Sequence, residues 1–121
     1  MDRRKFPRIN TKKFISFVKY NSNGQIESQK TGTAIDVSQG GILLETTEKI
    51  ATKSICLITT SSDNKLIEIK AKVLYSRPAG DEKFQNGISL QGNADENLRF
   101  VTGLVHAYLI RKKSQNRKIF L

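Results

Sequence analysis

The sequence predicts a mainly β protein, a small antiparallel barrel or sandwich followed by one C-terminal helix. Three observations predict this class: six strand-length runs separated by turn residues, a two-residue alternation of apolar and polar side chains in the fifth run, and helical spacing of apolar residues only near the C-terminus. At 121 residues the chain has the size of one domain with a single core. Its apolar content of 37% fits the thin core of a barrel with many solvent-facing strand positions.

Each predicted strand is a run of β-branched, aromatic or alternating residues bounded by turn formers. The strands are expected at residues 13–20, 25–37, 41–46, 54–60, 65–77 and 84–90. Asn23 and Gly24 favour a hairpin turn after the first strand, because both residues tolerate positive φ. Gly32 is expected to interrupt the second strand. In the fifth strand the alternation places Val73 and Tyr75 on the same buried face.

The C-terminal region has a different period. Asn93 is a candidate N-cap, and Asp95 and Glu96 in the following turn suit the positive end of a helix dipole. Apolar residues then recur at helical spacing: Leu98, Val101, Leu104, Val105, Tyr108 and Leu109. We therefore expect a helix over residues 93–113 whose apolar stripe packs on the barrel, or alternatively on a second copy in a dimer.

The net charge of +10 is concentrated at the two ends of the chain. Residues 1–13 carry six basic residues against one acidic residue, and residues 111–118 carry five basic residues and no acidic one. Such charge attracts phosphate groups. For the C-terminal cluster, a solvated basic tail over 114–121 is the simpler interpretation.

Several classes of protein do not fit this composition. No apolar stretch approaches the length of a membrane span, and no signal-peptide core follows Met1, so we expect a cytoplasmic protein. Cys56 is the only cysteine, which excludes an internal disulfide, and it is expected to be a buried, inert thiol. His106 is the only histidine, so neither a catalytic triad nor a histidine-rich metal site can form around it. We expect no enzyme activity and no metal or cofactor.

The first of two motifs with binding chemistry is an R-x-x-x-R segment near the N-terminus, formed by Arg4 and Arg8. A guanidinium is a planar, permanently charged fork that pairs with phosphate or with the O6/N7 edge of guanine. Pro7 stiffens the segment between the two arginines. Taken alone, the segment is more simply interpreted as an ordinary basic arm.

The second motif, D-x-S-x-x-G, lies between two predicted strands and contains Asp36, Ser38 and Gly41. An ionised aspartate can accept hydrogen bonds from the N1 and N2 donors of guanine, and a serine hydroxyl can donate to a phosphate or base edge. Gly41 would let a backbone approach the ligand closely. Taken alone, this segment is more simply interpreted as an ordinary turn between strands.

Together, in this order and at this spacing, the two motifs resemble the PilZ domain, a bacterial receptor module for cyclic di-GMP. Residues 86–90 also look like the late G-[VI]-x-[FL] strand of that family, so the resemblance covers nearly the whole chain. It implies a six-stranded antiparallel β-barrel with a C-terminal α-helix. The implied ligand is cyclic di-GMP, one or two molecules per domain, contacted by Arg4, Arg8, Asp36, Ser38 and Gly41. Further candidate contacts are Arg3, Lys5, Gly40 and Gly87.

By this resemblance, residues 1–121 form a single PilZ-like domain. It divides into an N-terminal ligand-clamping arm (1–12), a β-barrel (13–91), a helix (93–113) and a basic tail (114–121). The implied function is a receptor whose arm is ordered by cyclic di-GMP and signals to an unidentified protein partner, in motility or in biofilm and exopolysaccharide control. The oligomeric state, monomer or dimer, stays open.

Two other functions are compatible with the charge. The first is a small basic β-barrel that binds RNA or DNA, but such a barrel should carry basic residues interleaved with exposed aromatics on its middle strands. Residues 21–80 are instead nearly balanced in charge, which makes nucleic acid the less favoured partner. The second is an adaptor that docks a protein or an anionic membrane surface through its basic helix end, with the ligand motifs vestigial.

Overall fold

The computed structural model describes residues 9–60 and 63–105, with side chains described from residue 14 onward. Six strands form a closed antiparallel barrel in the order β1-β2-β3-β6-β5-β4. The strands are β1 (Ile9–Tyr20), β2 (Ile26–Val37), β3 (Gly41–Thr46), β4 (Ser54–Thr60), β5 (Leu66–Pro78) and β6 (Phe84–Leu90). A helix, α1, follows and is described over residues 94–105. Of the two architectures compatible with the strand pattern, the barrel is confirmed.

Two strand predictions near the N-terminus were wrong in detail. β1 begins at Ile9 rather than at residue 13, because its pairing with β2 continues past a register shift to the pairs Ile9–Val37 and Asn10–Asp36. β2 is not interrupted at Gly32. A Cβ atom at that position would lie 2.9 Å from the Glu45 carbonyl oxygen, so the glycine admits the backbone of β3 without breaking the strand.

The core lies inside the barrel and extends onto α1. Alternate residues of the strands point inward, as shown by the buried side chains of Leu44 and Leu57. From α1, Phe100 and Leu104 are fully buried and join the same cluster. For the described part of the helix, packing on the barrel is therefore confirmed, although Phe100 was not among the predicted stripe residues and Leu98 of that stripe is half-exposed. Tyr108 and Leu109 lie outside the described residues.

The start of α1 is fixed by a capping box. The Asn93 side-chain oxygen accepts a hydrogen bond from the Glu96 backbone N–H at 2.8 Å. The Glu96 carboxylate accepts one from the Asn93 backbone N–H at 2.9 Å. This reciprocal pair satisfies backbone donors that a helix N-terminus otherwise leaves open, and it confirms Asn93 as the N-cap.

The turn between β2 and β3 lies beside the end of β6. The Leu90 N–H donates to the Gly40 carbonyl oxygen at 3.1 Å, which ties the last residue of β6 to this turn. Three residues later the chain reaches Asn93 and enters α1. The first residue of β1, Ile9, pairs with Val37 at this same end of the barrel.

The thiol of Cys56 is half-buried rather than buried. Its neighbours Ile55 and Leu57 point into the core, so the alternation of β4 turns Cys56 toward the outer surface. Partial burial nevertheless raises the pKa of the thiol, and the adjacent Glu68 carboxylate raises it further. Within the described ranges, no helix has both the length and the apolar character needed to cross a membrane.

Candidate ligand-binding site

The D-x-S-x-x-G motif forms a tight turn that is closed by its own hydrogen bonds. The Ser38 N–H donates to the Gly41 carbonyl oxygen at 2.9 Å, and the Gly41 N–H donates to the Ser38 carbonyl oxygen at 3.3 Å. The Ser38 hydroxyl donates to the same Gly41 carbonyl oxygen at 3.2 Å. The hydroxyl oxygen can still accept hydrogen bonds through its two lone pairs. The hydroxyl can also give up its weak hydrogen bond to Gly41 and donate to a ligand oxygen instead.

Gly41 is required by the packing of the sheet. A Cβ atom at this position would lie 2.7 Å from the Ile88 carbonyl oxygen, which is closer than Cβ atoms come to backbone. The glycine therefore allows β6 to pass directly beside the turn. This structural requirement accounts for Gly41 whether or not a ligand also approaches it.

Asp36 is half-buried and lies next to a register shift between Ala34 and Asp36 in the β2–β3 pairing. Ala34 and Val37 are buried in the core. An irregularity of this kind re-aims a side chain, since it inserts an extra residue into the two-residue alternation. Ala34 and Val37, on either side of the irregularity, thus point inward, and Asp36 is left beside the turn on the groove side of the sheet.

Two rows of paired residues cross the outer surface from this turn. In the first row the Cα partners run from Asp36 on β2 through Leu43 and Gly87 to Tyr75 on β5. Neighbouring strands lie about 4.8 Å apart, so the row spans roughly 14 Å. In the second row Gly41 pairs with Ser89, and Ser89 pairs with Lys72. The sheet therefore presents a strip that joins β2, β3, β6 and β5.

A shallow groove of about 390 Å³ follows this strip. Its lining includes every sequence-predicted site residue that the structure describes: Asp36, Ser38, Gly40, Gly41 and Gly87. Gly40 and Gly87 were predicted from different parts of the chain, and the barrel brings them to one surface. A larger groove of about 490 Å³ lies between the first hairpin and residues 46–52, and it contains none of the predicted residues. Its charges include an ion pair between Lys30 and Glu48 at 2.5 Å.

Sequence reasoning missed the contribution of β5 to the groove. Leu74, Tyr75 and Arg77 line it, and Leu74 and Tyr75 are 62% and 43% exposed. The alternation had placed Tyr75 on the buried face. That assignment was wrong because the β5–β6 pairing shifts register between Val73 and Tyr75, which turns the tyrosine outward.

The tyrosine ring lies directly against Gly87. A Cβ atom at position 87 would lie 2.3 Å from Cε1 of Tyr75, so only glycine leaves room for the ring. The guanidinium carbon of Arg77 lies 5.0 Å from the ring centroid, within the range of a cation–π interaction. Gly87 therefore seats Tyr75, and Tyr75 in turn orients Arg77 at the groove.

Arg3, Arg4, Lys5 and Arg8 lie outside the described residues. The described residue that follows them is Ile9, whose partner Val37 is next to Asp36. Between residues 14 and 105 the chain has ten basic and ten acidic residues, so the whole net charge of +10 belongs to the two ends. The described residues contain no group of three histidine, cysteine or acidic side chains that could hold a metal ion.

The fold is similar to several solved structures. These include the Bacillus subtilis inhibitor of motility MotI/DgrA (TM-score 0.63, 16% identity, covering 94% of this chain and 53% of that one) and K. pneumonia MrkH in its c-di-GMP complex (TM-score 0.61, 16% identity, 95% and 56%). The PilZ domain of YcgR from Escherichia coli, solved with c-di-GMP, has a TM-score of 0.63 and 14% identity, covering 97% of this chain and 99% of that domain. The chain thus spans little more than half of MotI/DgrA and MrkH.

At these identities the structural likeness shows the fold alone. No curated protein sequence matches the chain. The family model of the PilZ domain, however, matches residues 2–105, which include both motifs, the whole barrel and the described part of α1. The chain belongs to the PilZ domain family.

Proposed function

We propose that this protein is a receptor for cyclic di-GMP and that the ligand lies along the groove between Asp36 and Tyr75. The observation that carries the proposal is that residues from separate parts of the chain meet at one groove. The D-x-S-x-x-G residues and Gly87 line one groove, and the described residue next to the arginine motif, Ile9, pairs beside Asp36. Membership of the PilZ family and the c-di-GMP complexes of MrkH and YcgR support the choice of ligand.

In the proposed complex each motif has a separate task. Asp36 accepts hydrogen bonds from the N1 and N2 donors of one guanine, and Ser38 donates to a phosphate oxygen or base edge. Arg4 and Arg8 pair with phosphate and with the guanine O6/N7 edge, which suits their planar, bidentate geometry. The ligand is bound and released unchanged, because this scheme assigns no general acid, base or nucleophile.

The same arrangement supports a role in signalling. Ordering of residues 1–8 over the ligand would change the surface next to the β2–β3 turn, which is hydrogen-bonded to the residue that ends β6. A protein partner that recognises the ordered arm would then read the ligand. Motility or biofilm control is the process we propose, in keeping with the motility inhibitor MotI/DgrA.

Calorimetric titration with cyclic di-GMP at physiological salt tests the proposal, with cyclic di-AMP and GTP titrated in parallel. Saturable binding of cyclic di-GMP alone is the expected result, and the midpoint gives one or two ligands per chain. Equal weak binding of all three nucleotides would instead indicate general electrostatic attraction and return RNA or DNA binding to first place.

Matched variants separate the site from overall charge. Asp36→Asn replaces an acceptor with a donor that faces the guanine donors, whereas Asp81→Asn makes the same change at an exposed turn. Arg8→Ala should cost about 2–5 kcal/mol of binding free energy, the range for truncating one member of a desolvated charged contact, whereas Lys112→Ala should cost little. If Asp36→Asn and Asp81→Asn bind cyclic di-GMP equally well, Asp36 does not contact the base.

A further inference from the structure

The β5 wall of the groove contains three residues that belong to neither motif, namely Leu74, Tyr75 and Arg77. Arg77 lies over the ring of Tyr75, and both side chains line the groove. We propose that Arg77, supported by Tyr75, stacks on the flat face of a guanine base of the bound nucleotide. This inference rests on the proposed function and adds to it the contact that β5 makes with the ligand.

A bulge in β5 brings apolar side chains to the groove. The β5–β6 pairing shifts register between Val73 and Tyr75, which leaves Leu74 as the extra residue. An extra residue breaks the two-residue alternation, so Leu74 and Tyr75 are both turned outward and are 62% and 43% exposed. The strand therefore presents apolar surface where it borders the groove, whereas the exposed residues immediately before the bulge are charged: Glu68, Lys70 and Lys72.

Tyr75 holds Arg77 at the groove. Gly87 leaves room for the tyrosine ring, and the guanidinium carbon lies 5.0 Å from the ring centroid. A guanidinium is planar and stacks on aromatic faces, so it offers one flat face to the ring and a second face on the opposite side. Arg77 is exposed and lines the groove, so the second face is accessible to a ligand. The protein thus already provides part of the side-chain ordering that stacking on a base requires.

The surroundings of Arg77 favour a base over a phosphate. Asp36 and Arg77 are the two charged residues of the groove lining, and Leu74 and Tyr75 form the rest of the β5 wall. A phosphate is strongly hydrated and needs several donors, which an apolar wall does not supply. A purine has a flat, weakly polar face, and bases stack on aromatic side chains and on arginine planes. The β5 wall therefore matches the face of a base.

The two ends of the groove then recognise different features of the nucleotide. Asp36 accepts hydrogen bonds from the donor edge of a guanine, whereas Arg77 contacts the face of a base. The row from Asp36 to Tyr75 spans roughly 14 Å at ordinary strand spacing. Cyclic di-GMP carries two guanines, so one ligand can satisfy Asp36 with the edge of one base and Arg77 with the face of the other.

Calorimetric titration of Arg77 variants with cyclic di-GMP tests the stacking contact. Arg77→Ala should weaken binding about tenfold, within the range for removal of a base-stacking side chain. Arg77→Lys keeps the charge but lacks the plane, so it should bind about as weakly as Arg77→Ala. Arg77→Phe lacks the charge but keeps a flat face, so it should recover most of the affinity. Arg99→Ala is the matched control, since Arg99 is an exposed arginine of α1 outside the groove lining, and it should change binding by less than about twofold.

The supporting role of Tyr75 has its own readout. Tyr75→Phe keeps the ring and should bind like wild type, whereas Tyr75→Leu removes the ring and should weaken binding as Arg77→Ala does. Both positions are exposed, so all of these variants should keep the wild-type Tm to within a few degrees. If wild-type protein does not bind cyclic di-GMP, the proposed function fails together with the stacking contact. If wild type binds and Asp36→Asn does not, two results would overturn the stacking contact alone: Arg77→Ala binding like Arg99→Ala, or Arg77→Lys binding like wild type while Arg77→Phe does not.

Discussion

Gly87→Ala should separate binding from stability, because the added methyl group displaces the ring of Tyr75, which lines the groove. The added methyl would lie 2.3 Å from Cε1, 2.7 Å from Cζ and 2.9 Å from Cδ1 of the ring. Favourable carbon–carbon contacts begin at about 3.5 Å, so the ring must move by about 1 Å or more. Tyr75 is 43% exposed and has solvent to move into. The displacement carries the ring out from under Arg77.

The expected change in stability is small because two terms oppose each other. Loss of an exposed cation–π interaction costs about 0.5–1 kcal/mol. Replacing glycine by alanine inside a strand recovers about 0.5–1 kcal/mol of backbone entropy and intrinsic preference. The free energy of unfolding in urea should therefore stay within about 1 kcal/mol of wild type. If the ligand lies along the groove as proposed, affinity for cyclic di-GMP should fall about tenfold, since the change displaces the guanidinium of Arg77 from the groove lining.

A double-mutant cycle isolates the mechanism. In an Arg77→Ala background, Gly87→Ala should weaken binding no further, because the residue that it displaces is already absent. In a Tyr75→Ala background it should stabilise the fold, since the new methyl then meets no ring. Wild-type affinity in Gly87→Ala would refute the chain of contacts from Gly87 through Tyr75 to Arg77. A loss of several kcal/mol of stability would show that the ring cannot move and that the strain stays in the sheet.

Three further predictions concern the described fold. Asn86→Ala should lower the free energy of unfolding in urea by about 2–4 kcal/mol. The fully buried amide of Asn86 donates to the Leu44 carbonyl oxygen at 2.8 Å and to the Thr46 hydroxyl at 3.0 Å. A cost below about 1 kcal/mol would mean that water replaces the amide group. Asn93→Ala should cost about 1 kcal/mol through loss of the N-cap, seen as a lower Tm, and an unchanged Tm would place the start of the helix elsewhere. The raised pKa of Cys56 keeps it a thiol at pH 8, so alkylation should be slower in native protein than in urea, and equal rates would contradict its shielding.

Local sequence determined the strands well where side-chain period and turn chemistry agree. β3, β4 and β6 have the predicted bounds, and the turn before β2 forms with Gly24 at a φ of 78°. The capping box at Asn93 is equally local, because its two hydrogen bonds join residues three apart. Such signals need no knowledge of what a segment will pack against.

The errors arise where long-range pairing overrides local period. Tyr75 continues the alternation of β5 in sequence, but a register shift against β6 turns it outward and makes it part of the groove. β1 begins at Ile9 because the backbone of Ile9 pairs with that of Val37, which lies 28 positions further along the chain. Gly87 was predicted to contact the ligand. The structure shows that a tyrosine ring from another strand occupies the space beside it.

The energetics of the proposed arm explain why the rigid face of the barrel matters for affinity. Fixing the backbone of residues 4–8 over a ligand costs about 1–2 kcal/mol per residue, or roughly 5–10 kcal/mol in total. Two desolvated arginine contacts contribute at most about 4–10 kcal/mol by the truncation scale. These terms are of the same size, so the arm alone leaves little surplus for binding. Useful affinity then has to come from groups that the barrel already holds in place, namely Asp36 and Ser38 at one end of the groove and Arg77 at the other. On this reasoning the proposed arm would sense the ligand with a small net free energy, which is what a reversible switch requires.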